Sequence, residues 1–81
     1  MSKLDLAIAA RNSLEFKAIV KSFRLKKYVE GENTKTPDYL VHNSQAADVR
    51  AALDAAGFEY SLSNVYGYCF RLHISGRKGN G

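Results

Sequence analysis

From Ser44 to Gly57, apolar residues return at Val49, Ala52, Leu53 and Ala56, the spacing of one face of a helix. Asn43 or Ser44 is placed to cap its start, Asp48 sits near the positive end of the helix dipole, and Gly57 suits the left-handed residue that ends a helix. Beyond Gly57 the period changes to two. Phe58, Tyr60 and Leu62 alternate with Glu59, Ser61 and Ser63, and Tyr66, Tyr68, Phe70, Leu72 and Ile74 alternate with Gly67, Cys69, Arg71 and His73. Alternation over this length predicts two strands.

A three-residue turn at Val65, Tyr66 and Gly67, with Gly67 at positive φ, sets apolar against apolar across this hairpin. It pairs Asn64 with Tyr68, Leu62 with Phe70, Tyr60 with Leu72 and Phe58 with Ile74, which leaves Glu59 opposite His73, Ser61 opposite Arg71 and Ser63 opposite Cys69 on the other face.

In the N-terminal half, Leu4, Ala7 and Ile8, then Phe16, Ile19, Val20 and Phe23, fit helical stripes. Asn12 followed by Glu15 resembles a capping box, which predicts either one kinked helix or two short ones. From Arg24 to Val29 the alternation suits a strand, although a helix continuing to Val29 is the competing reading. A loop at Gly31–Thr36 and a strand over DYLVH, introduced by Pro37, complete a first hairpin. The expected fold is a single α+β domain over residues 1–75, ordered α-β-β-α-β-β, with a four-stranded antiparallel sheet and its helices on one face. Residues 76–81, GRKGNG, are expected to form a flexible tail.

Composition narrows the chemistry. In a chain of 81 residues, folding buries only about 60% of the extended surface, so the core has to be small and contiguous. One cysteine, Cys69, excludes an internal disulfide and a cysteine-rich metal site, and makes the cytoplasm the default compartment. No apolar run approaches the ~20 residues of a membrane span. Cys69 and His73 lie four apart along one strand, roughly 13 Å, too far for a nucleophile–base pair. Glu59 opposite His73 reads as an exposed cross-strand contact, and His42 as structural. With no phosphate-binding glycine loop and no metal-ligand spacing, the expectation is a domain that binds rather than catalyses, without cofactor or metal.

Twelve Lys and Arg against eight Asp and Glu give a net charge of +4, which favours polyanionic partners. Lys21, Arg24, Lys26 and Lys27, interleaved with Phe23 and Tyr28, could neutralise phosphates while an aromatic ring stacks on a base. Arg71 adds charge, and Tyr66, at the expected hairpin tip, adds a second stacking surface. Tyr68 and Phe70 read as packed core. The leading expectation is therefore a nucleic-acid-binding domain. The alternative is a small inhibitor or regulator, of the kind phages and mobile elements encode, acting on a host protein or nucleoprotein complex through the polar sheet face and the Val65–Gly67 tip. A homodimer formed through an edge strand is compatible with either.

Overall fold

The computed structural model describes residues 3–28 and 36–77. Its elements are α1 (Lys3–Asn12), α2 (Leu14–Phe23), β1 (Lys26–Tyr28), β2 (Asp38–His42), α3 (Asn43–Ala56), β3 (Phe58–Tyr66) and β4 (Cys69–Arg77). The four strands form one antiparallel sheet in the order β1-β2-β4-β3, so the two hairpins meet where β2 pairs with β4. The expected α+β class and antiparallel sheet are present. Among the described residues, no helix is long and apolar enough to cross a membrane.

The N-terminal helical region is two helices, and the break is made by Ser13. Its Oγ donates to the Ala10 carbonyl at 2.7 Å and accepts from the Phe16 amide at 3.3 Å, so one hydroxyl closes α1 and opens α2. Asn12, the expected cap, is the last residue of α1 instead. α2 ends at Arg24 in the left-handed conformation (φ 54°), with its N–H turned back to the Lys21 and Val20 carbonyls. That conformation is uncommon for a residue with a Cβ. It stops the helix short of Val29 and turns the chain into β1, which decides between the two readings of this segment. α3 is capped at its start by His42 rather than by Asn43 or Ser44: the His42 Nδ1 accepts from the Ser44 amide at 3.1 Å. It ends at Gly57 (φ 78°), as its sequence requires.

α2 and α3 pack on one face of the sheet. Phe16, Ile19, Val49 and Leu53 from the helices meet Tyr39, Val41, Phe58, Leu72 and Ile74 from the strands. Phe16 stands edge-on to Tyr39 and Phe58, with ring centroids 5.2 and 5.7 Å away, the favoured aromatic geometry. α1 differs. It buries Ala7, Ala10 and Arg11, while Leu4, expected on its packed stripe, is exposed. Its small residues let it approach β4, where the position of a Cβ on Gly76 would lie 3.7 Å from the Leu6 Cβ.

The C-terminal hairpin keeps the expected faces but slides by two residues. Leu62 pairs with Leu72, Tyr60 with Ile74, and Asn64 with Phe70. Ser61 faces His73, Ser63 faces Arg71, and Tyr66 faces Cys69, so Glu59 and His73 are not partners. The turn is Gly67-Tyr68, Val65 is the extra residue of a bulge, and Gly67 does not take the left-handed φ expected of it. A second bulge at Ser75 lets β4 continue to Arg77, whose guanidinium lies 4.8 Å from the centroid of the Phe58 ring. Gly76 and Arg77 therefore belong to the sheet rather than to a tail; residues 78–81 lie outside the described part, as does the loop from 31 to 35.

The register sets which side chains carry stability. Phe58→Ala, at a fully buried position, should lower the unfolding free energy by about 3–5 kcal/mol. Phe70 is only half-buried, so Phe70→Ala should cost distinctly less. Urea titrations of the two variants, followed by circular dichroism, check the order.

Candidate nucleic-acid interface

The face of the sheet opposite α2 and α3 is built by alternation. Lys26 and Tyr28 from β1, Asp38, Leu40 and His42 from β2, Cys69, Arg71 and His73 from β4, and Ser61 and Ser63 from β3 share it, because directly paired residues project to the same side. The polar centre of this face is the Asp38 carboxylate. Although it is only 6% exposed, it takes a hydrogen bond from the Arg71 Nε on Oδ2 and from the His73 Nδ1 at 2.8 Å on Oδ1, with the Arg11 Nη2 3.4 Å from Oδ1. Burial alone would raise the Asp38 pKa. The hydrogen bonds from His73 and Arg71, together with their charges, outweigh it and hold the pKa below the ordinary carboxylate value.

Arg11 is buried as deeply, and its burial lowers its own pKa against the pull of Asp38. Its guanidinium also donates to the carbonyls of Pro37 (2.9 Å), Ala7 (3.0 Å) and Ile74. Tyr39, beside it in the core, has its pKa raised by burial. Among the described residues no buried side-chain polar atom lacks a partner.

Arg71 reaches in a second direction, with its guanidinium carbon 5.1 Å from the centroid of the Tyr28 ring. At the other end of the face Arg24, Lys26, Leu40, His42, Gln45 and Cys69 line a cavity of about 280 Å³. Of the basic residues picked out in the sequence, Arg24, Lys26 and Arg71 thus meet on or at the margin of this face, together with Tyr28. Lys27 does not: it pairs with Tyr39, projects to the helix side, and joins Lys17 and Lys21 around a second cavity of about 370 Å³ floored by Phe16, Val20 and Tyr39. Period two within a strand separates neighbours, so Lys26 and Lys27 serve opposite sides of one edge.

The aromatic expectations also change. Tyr68, read as packed, stands at the hairpin turn 61% exposed, with its ring centroid 5.8 Å from that of His42. Tyr66 lies in β3 opposite Cys69, and its side chain is outside the described residues.

Asp38 gives no signal in the sequence because it opens an otherwise apolar strand with no charged neighbour; only the pairing of β2 with β4 brings it to Arg71 and His73. His73 thus has Asp38, rather than the expected Glu59, as its carboxylate partner. In neutral His73, donation from Nδ1 to Asp38 leaves Nε2 as an acceptor. No hydrogen bond joins His73 to a hydroxyl or thiol among the described residues, and Ser75, which lines a cavity of about 340 Å³ with it, donates instead to the Glu59 carbonyl. No group of three or more His, Cys, Asp or Glu suited to a metal gathers among the described residues. Compared with protein-family models, with curated proteins and with solved structures, the chain matches none.

The lowered pKa of Asp38 makes stability depend on pH. Its contribution is complete above the unfolded carboxylate value of about 3.9 and is lost as pH falls through the lower folded value. Asp38→Asn should cost about 3–5 kcal/mol near neutral pH, because it strands Arg11. The gap from the wild type should shrink below about pH 4. Thermal melts of both proteins between pH 2 and pH 7 measure it.

Proposed function

We propose that the protein is a non-enzymatic nucleic-acid-binding domain that lays a strand of nucleic acid across the open face of its sheet. The observation carrying this reading is that one face holds both a dent lined by Arg24, Lys26 and the apolar Leu40 and, further along it, the Arg71 guanidinium against the Tyr28 ring. Cations follow the phosphates and an aromatic or apolar floor takes a base, a combination suited to single strands and tolerant of sequence. The sole carboxylate at the centre of the face, Asp38, is buried and engaged by Arg11, Arg71 and His73, so it offers an approaching phosphate little repulsion. Another concavity, of about 540 Å³, suits a polyanion less well: Asp54 and Glu59 line it beside Arg50.

Fluorescence anisotropy with a labelled single-stranded oligonucleotide tests the reading. Binding should be measurable at ~50 mM salt and weaken at ~200 mM, with little dependence on sequence. Arg24→Gln with Lys26→Gln should reduce the slope of log affinity against log salt by about 0.7 for each phosphate the variant no longer neutralises. Lys17→Gln with Lys21→Gln and Lys27→Gln, on the helix side, should change it less. Neither set should alter stability by more than about 1 kcal/mol, since these charges are exposed. Affinity weaker than about 100 μM at the lower salt would count against nucleic acid and in favour of the inhibitor reading, with a protein meeting the same face.

A further inference from the structure

The two edges of the sheet are unequal. β1 is three residues long and carries two lysines, the usual protection of an edge against further pairing. β3, at the opposite edge, is nine residues long, FEYSLSNVY, with Glu59 its only charge and neither lysine nor proline. No described element pairs with its outer side. Two of its apolar side chains, Tyr60 and Leu62, stay half-buried on the helix side of the sheet, so the core is incompletely closed along this strand.

We propose that the outer edge of β3 pairs antiparallel with β3 of a second copy of the chain, joining two sheets into one of eight strands about a two-fold axis. The occupant follows from the strand's own pattern. Directly paired residues share a face, so only registers that pair even-numbered positions with even-numbered ones keep Tyr60 and Leu62 of both copies on the helix side. The register centred on Leu62 does this. It sets Leu62 against Leu62 of the second copy, Tyr60 against Asn64, and Ser61 against Ser63. It also keeps the two Glu59 carboxylates apart, whereas parallel pairing would stack them; like charges directly opposite are destabilising. An edge with a single charge offers a highly charged foreign strand few charge partners, while a second copy supplies a matching face. The proposal does not depend on nucleic-acid binding, though a dimer would place two copies of the Lys26–Arg71 face on one continuous sheet.

Analytical ultracentrifugation tests it with no nucleic acid present. The wild-type chain should be dimeric at ~100 μM, a concentration that populates small interfaces. Ser61→Glu with Ser63→Glu should raise the dimer Kd about tenfold or more, since it faces glutamate with glutamate twice across the seam. Within its own chain the same variant sets the new carboxylates opposite His73 and Arg71, so the fold should hold, which circular dichroism checks. Mixing it with Ser61→Lys plus Ser63→Lys, whose lysines face His73 and Arg71 and whose fold circular dichroism must therefore also confirm, should restore a dimer containing one copy of each. As a measurement needing no variant, amide exchange on the wild type should show β3 protection rising with protein concentration. A wild-type chain monomeric at ~100 μM, β3 exchange independent of concentration, or a dimer indifferent to the glutamate variant would each overturn the proposal.

Discussion

The structure turns on Arg11. β2 begins at Asp38 because Pro37 precedes it, and continuing the β2–β4 register by two residues would set Pro37 against Ile74. Proline has no N–H to offer, so the ladder ends there with the Ile74 carbonyl inside the protein. Arg11 supplies the missing donor. Its guanidinium bonds Ile74 and Pro37 across the gap where the next rung would lie, and it takes the Asp38 carboxylate as counter-ion. Removing water from a guanidinium is expensive, and such a group stays buried only where its donors are met. Here four acceptors, three of them backbone carbonyls, meet them. α1 is thereby fixed to the end of the sheet, and the two hairpins are held together at their junction.

The same requirement shapes the open face. Asp38 stays ionised because Arg11 approaches from the helix and Arg71 and His73 from β4. Arg71, pinned at its Nε, is then held against the Tyr28 ring of β1. A chain of contacts therefore runs from α1 through Asp38 and Arg71 to the edge strand. Part of the face that would meet a ligand is set in position by a core interaction, so residues that look like surface charges in the sequence are also part of the framework.

Local pattern made much of this legible. The stripe Val49, Ala52, Leu53 and Ala56 packs as its spacing implies, and the alternation at Phe58, Tyr60 and Leu62 and at Phe70, Leu72 and Ile74 assigns their faces correctly, though Tyr66, beyond the Val65 bulge, falls opposite Cys69. Register was less accessible, because a shift of two residues preserves every face and parity cannot detect it; bulges at Val65 and Ser75 then absorb the difference. The caps lie one or two residues from their expected places, at Ser13 and His42, since several neighbouring polar residues can offer the same acceptor. Arg11 and Asp38 left no signal at all. An arginine near a helix end and an aspartate after a proline are ordinary surface features, and their meeting depends on contacts between residues 27 positions apart.

The basic cluster shows how far composition can be carried. Counted along the chain, Lys21, Arg24, Lys26 and Lys27 look like one patch. Folded, they divide at β1 into an open-face group and a helix-side group. Positive charge on both sides of a short edge strand discourages further strand pairing there. The opposite edge, with one carboxylate in nine residues, lacks that deterrent. One edge strand thus carries two lysines, and the other carries a single carboxylate over nine residues. This polarity, more than the net charge of the chain, distinguishes where a nucleic acid and where a second strand would each be accepted.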